Sequence, residues 1–357
     1  MSLPENTWYN DFMKVALIAG NDWLSVEAST FRRLSIGLVD ERVNVLRVVP
    51  GEGIGGQVEF AGKAISYGST DWWLLRQLRL FQTLRQLREA NVDLIHVLDG
   101  DFQLVARILA RRLRVPVVCS LWSKQDVDRA HLARIGSPTA YICPTASLTR
   151  YCKQRVGDAA VVELVRPGVH VAEDVRPPLG NVDASISCLV IGDGNADDHY
   201  RAMLAGFSAA RSELPQAMLF HYAFTHEQHH LWQVCREMGL LDQVTIVPHD
   251  PEHRDILVQA DVVLQPQVSG RVRTLTLAAM GSARPVIATA DPMLDYLVQS
   301  DTAQLVNEAS PEGWSRCFRE LPSKTRTFQA LGESARRYVA ARHSAAGHST
   351  ATARSTL

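Results

Sequence analysis

The chain has 357 residues, of which 46% are hydrophobic and 21% are charged, and its net charge is −1. This length suits two domains of ordinary size, and the balanced charge does not indicate a nucleic-acid partner. No apolar run approaches a membrane span or a signal-peptide core. Six scattered cysteines without a C-x-x-C pair predict buried thiols, so we expect a cytoplasmic protein.

Short apolar runs alternate with amphipathic helical patterns along the first half of the chain, which predicts βαβ units and a parallel sheet. The Gly-rich segment 51–56 lacks the Lys-Ser/Thr pair and the following helix of a phosphate loop, so we interpret it as a flexible connection. Thr145 can cap the helix that it precedes. Strands are predicted at 13–18, 43–49, 58–65, 92–98, 115–121, 140–143 and 161–165, and helices at 25–40, 71–90, 101–112 and 145–156.

The helix predicted at 71–90 is amphipathic, with leucines along one side and arginines around the rest. Two interpretations are open. Arginines that follow Trp72 and Trp73 suit a helix lying on an anionic membrane surface. We favour the alternative, a helix packed on a sheet with a solvated basic side, because a strand follows directly as a βαβ unit requires.

The polar, Pro-containing segment 171–184 predicts a linker between two domains. We therefore expect a first domain at 1–170 and a second at 185–325. A helix at 326–343 follows, and the small polar residues of 344–357 predict a disordered tail. In this half, strands are predicted at 186–191, 217–222, 244–247, 262–264, 285–288 and 303–306, and helices at 200–212, 254–259, 274–280, 312–320 and 328–342.

The most informative stretch, 261–295, reads as strand, polar loop, helix and strand, which is one βαβ unit. Thr274 opens the helix and can cap it. Because backbone N–H groups at a helix start favour an anion, a phosphate-bearing ligand fits this place. The alternative is a solvated loop whose arginines bind nothing. The residues expected to hold the phosphate are Arg271, Arg273, Thr274 and Leu275.

Two clusters contain side chains that can ligate a metal ion. Three acids in one loop could hold a divalent ion that bridges to phosphate, and three histidines at helical spacings could also bind a metal. The histidine spacing does not match H-E-x-x-H, so we interpret both clusters as solvated and predict no metal site. The clusters are Asp193, Asp197 and Asp198, and His226, His229 and His230.

Several of these segments resemble, in order, the GT-B glycosyltransferases of the retaining, sugar-nucleotide-dependent group. The sequence AAMGSARPVIAT at 278–289 is similar to the donor-site helix and strand of that family. The resemblance extends across most of the chain. Further similar pieces stand at 93–96, 116–118, 166–170, 190–192, 242–248 and 256–263.

The resemblance implies an α/β protein with the GT-B fold, in which two Rossmann-like domains face each other across a cleft. The first domain would hold the acceptor, with Gly20 and Trp122 at its site. A Trp can stack on a sugar ring but cannot transfer a proton. The second domain would hold the nucleotide-sugar donor, with Gly192 in its first loop and His249 beside the nucleotide base.

The chain departs from the family pattern at the donor site. Gly270 and Ala278 stand where the family has two acids that grip the sugar and the ribose. Asp193 and Asp198 stand where basic residues neutralise the diphosphate, and acids there would repel it. Trp122 replaces a histidine. We therefore assign no catalytic residue.

Three functions stay open. The first is glycosyl transfer from a nucleotide sugar to a glycan, lipid or small-molecule acceptor, with no cofactor beyond the donor substrate. The second is a catalytically silent GT-B protein that acts as a binding or scaffold partner in polysaccharide biosynthesis. The third is another GT-B chemistry, such as epimerisation. We favour the first by analogy of fold, and leave open a protein partner and a peripheral membrane contact through 71–90.

Overall fold

The structure is a computed structural model that describes residues 12–50, 63–67, 73–132, 138, 140–157, 160–173, 175–192, 197–222, 228–247, 254–307 and 309–356. The chain divides into two compact units. Unit 1 contains Met1–Arg166 together with Ala345–Leu357, and unit 2 contains Pro167–Ser344. Each unit is organised around its own parallel sheet.

The sheet of unit 1 has seven strands, each parallel to its neighbours. They are β1 (Lys14–Ile18), β2 (Asn44–Pro50), β3 (Lys63–Tyr67), β4 (Leu94–Val97), β5 (Val117–Ser120), β6 (Ala140–Cys143) and β7 (Val161–Leu164). Their order in the sheet is β3-β2-β1-β4-β5-β6-β7. The central strands are buried on both faces, which is why they read as continuous apolar runs.

Helices connect these strands as α1 (Asn21–Asp40), α2 (Trp73–Glu89), α3 (Gln103–Leu113), α4 (Lys124–Leu132) and α5 (Ala146–Val156). The helix α4 was not predicted from the sequence. The helix α2 contacts β3 and α3. It buries Leu84 and Leu87 and exposes Arg85 and Arg88, which confirms the prediction of a sheet-packed helix with a solvated basic side.

The sheet of unit 2 has six parallel strands. They are β8 (Ile186–Ile191), β9 (Ala217–Tyr222), β10 (Val244–Val247), β11 (Val262–Gln265), β12 (Val286–Thr289) and β13 (Gln304–Val306), and their order is β10-β9-β8-β11-β12-β13. Asp261 ties this sheet to the preceding linker, because its carboxylate accepts hydrogen bonds from the backbone N–H groups of Leu179 and Ser187, both at 2.9 Å.

Six helices are described in unit 2: α6 (Asp198–Ala210), α7 (Gln228–Glu237), α8 (Arg254–Gln259), α9 (Thr274–Gly281), α10 (Pro311–Ser323) and α11 (Thr325–Arg342). Aromatic side chains dominate the contact of α6 with α10. Trp314 is fully buried, and Phe207 and Phe318 stack edge to face with ring centroids 5.1 Å apart. Among the helices of the described part of the chain, none is long and apolar enough to cross a membrane.

The last helix of the chain, α12 (Ala345–Thr356), belongs to unit 1 and packs on α1. The prediction of a disordered tail is therefore wrong for these residues. A Cβ on Gly37 of α1 would lie 1.9 Å from Ser349 Oγ, so the small residues that suggested disorder allow a close approach of two helices. His348, Ser349 and Thr352 are buried there.

All six cysteines are buried and none forms a disulfide, which confirms the prediction of buried thiols. Burial raises the pKa of the Cys119 thiol to about 12. A thiol with so high a pKa is almost entirely protonated at neutral pH and is a poor nucleophile.

The N-terminal cap of α5 was predicted correctly. Thr145 Oγ1 accepts a hydrogen bond from the Leu148 backbone N–H at 3.1 Å, and the residue is buried. Thr145→Ala should destabilise unit 1 by about 1 kcal/mol, because it leaves this donor without its acceptor. Chemical denaturation measures the loss. Thr145→Ser is the control and should retain most of the stability, and an equal loss in both variants would contradict the role of the cap.

Candidate functional site

The candidate site of unit 2 lies where the strand order of its sheet reverses. From β8 the chain builds β9 and β10 to one side, and it then places β11, β12 and β13 on the other side. In open parallel sheets the crevice beyond the carboxyl ends of the two strands at this switch point is the usual ligand site. Gly192 follows β8 and Gln267 lies two residues beyond β11, so both stand at this crevice.

Gly192 packs closely against two buried side chains. A Cβ at this position would lie 2.8 Å from Gln267 Oε1 and 3.0 Å from Tyr200 Cε2. Only a residue without a side chain fits, so glycine keeps the end of β8 in contact with the loop after β11. The Tyr200 hydroxyl in turn forms a hydrogen bond with His221 Nδ1.

Four polar side chains form two buried hydrogen-bonded pairs beneath the start of α9. Gln267 Oε1 accepts a hydrogen bond from Arg273 Nη2 at 3.3 Å. Gln265 Oε1 accepts one from Thr276 Oγ1 at 2.5 Å. All four residues are at most 3% exposed. Because buried hydrogen-bonded groups hold one geometry, these two pairs fix the loop between β11 and α9.

The two arginines of this loop have different environments. Arg273 is buried and immobilised by Gln267, whereas Arg271 is partly exposed and its backbone N–H donates to Ser269 Oγ at 3.3 Å. Arg271 is therefore the arginine that can reach a dissolved anion directly. Arg273 is buried, so it can act on an anion only through the electrostatic field of its charge.

The helix α9 begins one residue earlier than a Thr274 cap would require. Arg273 is the N-cap residue with extended backbone, and its side chain forms no capping hydrogen bond. Thr274 is the first helical residue, so the predicted cap is wrong. The first N–H groups of an α-helix have no carbonyl partner within the helix, and no acid occupies the first turn here. Thr274 and Leu275 therefore present the positive end of the helix dipole.

Gly270, where the resemblance implied a missing acid, is linked to an acid that lies two residues beyond β12. Its φ is +62°, a conformation that glycine adopts without strain. Its backbone N–H donates to Asp291 Oδ2 at 2.8 Å, and Asp291 Oδ1 accepts from the Met293 N–H at 2.9 Å. The sequence signal that we missed is an acid two residues after a buried strand. Ala278, the other position where the resemblance implied a missing acid, lies on α9.

Two buried histidines are packed within the sheets and are not suited to act as a general acid or base. Burial lowers the pKa of His221 to about 3. Burial, together with the nearby His348, lowers the pKa of His96 to about 3. His96 is buried, and its Nε2 is 2.8 Å from Ser120 Oγ. Both imidazoles are neutral at physiological pH.

The two clusters that contain possible metal ligands do not assemble into a site in the part of the chain that the structure describes, where no group of three suitable side chains exists. Asp197 is the N-cap of α6 and accepts a hydrogen bond from the Tyr200 N–H at 2.8 Å. Asp198 and His230 are exposed. Asp193, His226, the His229 side chain and the nucleotide-edge candidate His249 lie outside the described residues.

The acceptor-side candidates lie in unit 1, at the carboxyl ends of β1 and β5. Gly20 is the N-cap of α1, and its N–H donates to Asp99 Oδ2 at 3.1 Å. A Cβ there would lie 2.4 Å from Phe102 Cε2, so glycine is required. Trp122 is buried with its ring 5.6 Å from that of Trp23. Stacking of Trp122 on a sugar would require its ring to move.

No model of a known protein family matches the sequence, and no curated protein matches it. Solved structures match nearly the whole chain. Anabaena HepE in complex with UDP-glucose has a TM-score of 0.78 at 14% identity and covers 97% of this chain and 100% of its own. WaaG, a glycosyltransferase involved in lipopolysaccharide biosynthesis, has a TM-score of 0.71 at 14% identity. The match covers 96% of this chain and 99% of the WaaG chain.

Sucrose-phosphate synthase from Thermosynechococcus elongatus has a TM-score of 0.74 at 15% identity, with 96% of this chain and 98% of its own covered. Similarity at these identities shows a shared architecture. The chain has the GT-B fold, with two Rossmann-like parallel-sheet units, as the sequence resemblance implied.

Proposed function

We propose that the chain is a retaining glycosyltransferase that takes its sugar from a nucleotide-sugar donor bound by unit 2. The observation that carries the proposal is the switch-point crevice, where Gly192, Gln267 and the start of α9 meet. Similar structures with the same fold bind UDP and UDP-glucose, so a uridine diphosphate sugar is the first donor to test. The acceptor would be a glycan, a lipid or a small molecule bound by unit 1 near Gly20 and Trp122.

The diphosphate would lie at the start of α9. The Thr274 and Leu275 N–H groups and the Arg271 guanidinium would neutralise the charge that develops on the leaving nucleotide. Arg273 would act through its buried charge while Gln267 holds its position. His249 would lie beside the base. No acid of unit 2 stands in the two family positions, so the sugar contacts would come from other residues.

Titration calorimetry of the full chain with UDP and UDP-glucose, with and without magnesium, tests this site. Arg271→Ala should weaken UDP binding about 10- to 100-fold, because a charge-assisted hydrogen bond contributes about 1.5–3 kcal/mol. Arg236→Ala removes an exposed arginine of α7 as the matched control and should bind as the parent does. Equal binding in both variants, or no binding of UDP, GDP or ADP to the parent, would overturn the proposed site.

Turnover separates the transferase from a silent binding protein. An active enzyme releases UDP from UDP-glucose, at least slowly, because water can replace the acceptor. We expect this release to fall in Arg271→Ala by at least the factor by which binding falls. Binding without release, across a panel of nucleotide sugars and candidate acceptors, would favour the scaffold function in polysaccharide biosynthesis.

A further inference from the structure

Asp291 places a carboxylate beside the loop that follows β11. The residue lies two positions beyond β12, the strand that pairs with β11, so it stands at the same edge of the sheet as that loop. Its Oδ2 accepts a hydrogen bond from the Gly270 N–H at 2.8 Å. Arg271, which we expect to reach the diphosphate, follows Gly270 directly in the chain. The carboxylate is therefore bound to the residue next to that arginine.

The position of this carboxylate is fixed by the fold. Asp291 Oδ1 accepts a second hydrogen bond, from the Met293 N–H at 2.9 Å, and the residue is only 7% exposed. Two backbone donors on two different oxygen atoms hold the side chain in one orientation. A ligand that meets it therefore meets a preorganised acceptor, and no binding free energy is lost in ordering the side chain.

The two backbone hydrogen bonds leave part of the acceptor capacity of Asp291 unused. An ionised carboxylate has two oxygen atoms with about four lone-pair sites. The N–H groups of Gly270 and Met293 each take one site, on different oxygen atoms. Gly270 has no side chain that could cover the carboxylate from the loop. Asp291 can therefore accept further hydrogen bonds from a hydroxylated ligand.

The sugar is the part of a nucleotide-sugar that suits such an acceptor. Its hydroxyl groups donate hydrogen bonds, and a charged acceptor binds them more strongly than a neutral one does. The diphosphate has only oxygen atoms that accept, and a carboxylate at close range would repel it. A carboxylate beside Arg271 thus fits the group that is attached to the diphosphate rather than the diphosphate itself.

The order of the strands separates the two ends of the donor. The base would lie near His249, which follows β10 at one edge of the sheet, whereas β12 lies on the other side of the switch point between β8 and β11. A donor with its diphosphate at the switch point and its base toward β10 would direct its sugar toward β12. The hydroxyl groups that reach Asp291 would then belong to the sugar and not to the ribose.

We propose that Asp291 holds the transferred sugar by accepting hydrogen bonds from its hydroxyl groups. It would thereby compensate for the acid that is absent at Gly270. The inference rests on the proposed donor site of unit 2 and names the substrate class of that site more closely, as a nucleotide-linked sugar with free hydroxyl groups. A donor that lacks the contacted hydroxyl should bind more weakly.

Titration calorimetry of the full chain with UDP and with UDP-glucose separates this contact from a structural role. In Asp291→Ala, the affinity for UDP-glucose should fall about 10- to 100-fold more than the affinity for UDP, because only UDP-glucose carries the sugar. A variant that merely displaced the loop would lose both affinities equally, since Arg271 would contact the diphosphate that the two ligands share. Asp291→Asn fills the same space with a single acceptor oxygen and should give a smaller difference.

Analogues of UDP-glucose that each lack one hydroxyl group identify the contact. The analogue without the contacted hydroxyl should bind the parent more weakly than UDP-glucose does, whereas Asp291→Ala should bind the two alike, because the contact is already lost. Asp242→Ala removes an exposed acid of unit 2 as the matched control and should bind every ligand as the parent does. Circular dichroism and melting temperature establish that each variant folds.

The outcomes distinguish this inference from the proposed function. If the parent binds UDP and Asp291→Ala loses UDP and UDP-glucose equally, or loses neither, Asp291 does not hold the sugar and the donor site stands. If the parent binds neither UDP nor UDP-glucose, both the donor site and this inference are wrong.

Discussion

Gly332→Ala is expected to destabilise unit 2 by about 3 kcal/mol, although alanine is the better helix former by about 1 kcal/mol. Gly332 lies within α11, against the turn that joins α9 to β12. A Cβ there would lie 2.2 Å from the Ala283 carbonyl oxygen, 2.9 Å from its carbon and 3.2 Å from the Pro285 nitrogen. All three are backbone atoms, so none can rotate away, and the helix must shift.

The same shift should reach the candidate donor site, because α9 runs from the site's loop to this turn. Urea denaturation measures the free energy of unfolding, and UDP titration measures the site. Gly180→Ala is the control: its Cβ would meet only the Pro177 carbonyl oxygen at 3.5 Å, an ordinary contact. A Gly332→Ala protein as stable as the parent would show that α11 can move without loss, contrary to this packing.

Acid should destabilise both units through their buried histidines. The pKa of His96 in unit 1 and of His221 in unit 2 is lowered to about 3 in the folded chain, mainly by burial, against about 6.5 when unfolded. Below pH 6.5 the unfolded chain therefore binds protons that the folded chain does not. Stability should fall by about 1.4 kcal/mol per pH unit and per histidine as the pH decreases toward 3.

Denaturation at several pH values between 7.5 and 4.5 measures this slope. His96→Gln should flatten the dependence of unit 1 alone, since glutamine does not ionise but can still reach Ser120. His221→Gln should do the same for unit 2. His230→Gln changes an exposed histidine and should leave both slopes unchanged. Unchanged slopes in the two buried variants would show that other groups control the acid transition.

The strands and helices of the switch-point region were predictable because hydrophobic periodicity reports burial. The strand β11, the helix α9 and the strand β12 were each predicted to within one residue of their ends. Their assembly into a βαβ unit followed from the same pattern, and the glycine at 192 was identified from a short motif. These features depend on local sequence alone.

The polar and close contacts that hold the site together join residues that are distant in sequence, so they could not be predicted from the sequence. Gly270 and Asp291 are 21 residues apart, and Gln267 acquires its role only when the sheet brings it beside Gly192. The prediction that Thr274 caps α9 was wrong for a related reason. The residue at which a helix begins is set by backbone angles, and here Arg273 has the extended backbone of the N-cap residue.

The return of α12 to unit 1 has a consequence for synthesis on the ribosome. Unit 2, Pro167–Ser344, is continuous in sequence, whereas unit 1 needs both Met1–Arg166 and the segment that begins at Ala345. Domains fold largely as they are made, yet the side of α1 that receives α12 stays uncovered until all of unit 2 has been translated. Unit 1 is thus the first to begin folding and the last to be completed, and a fragment that stops at Arg166 would lack part of its own packing.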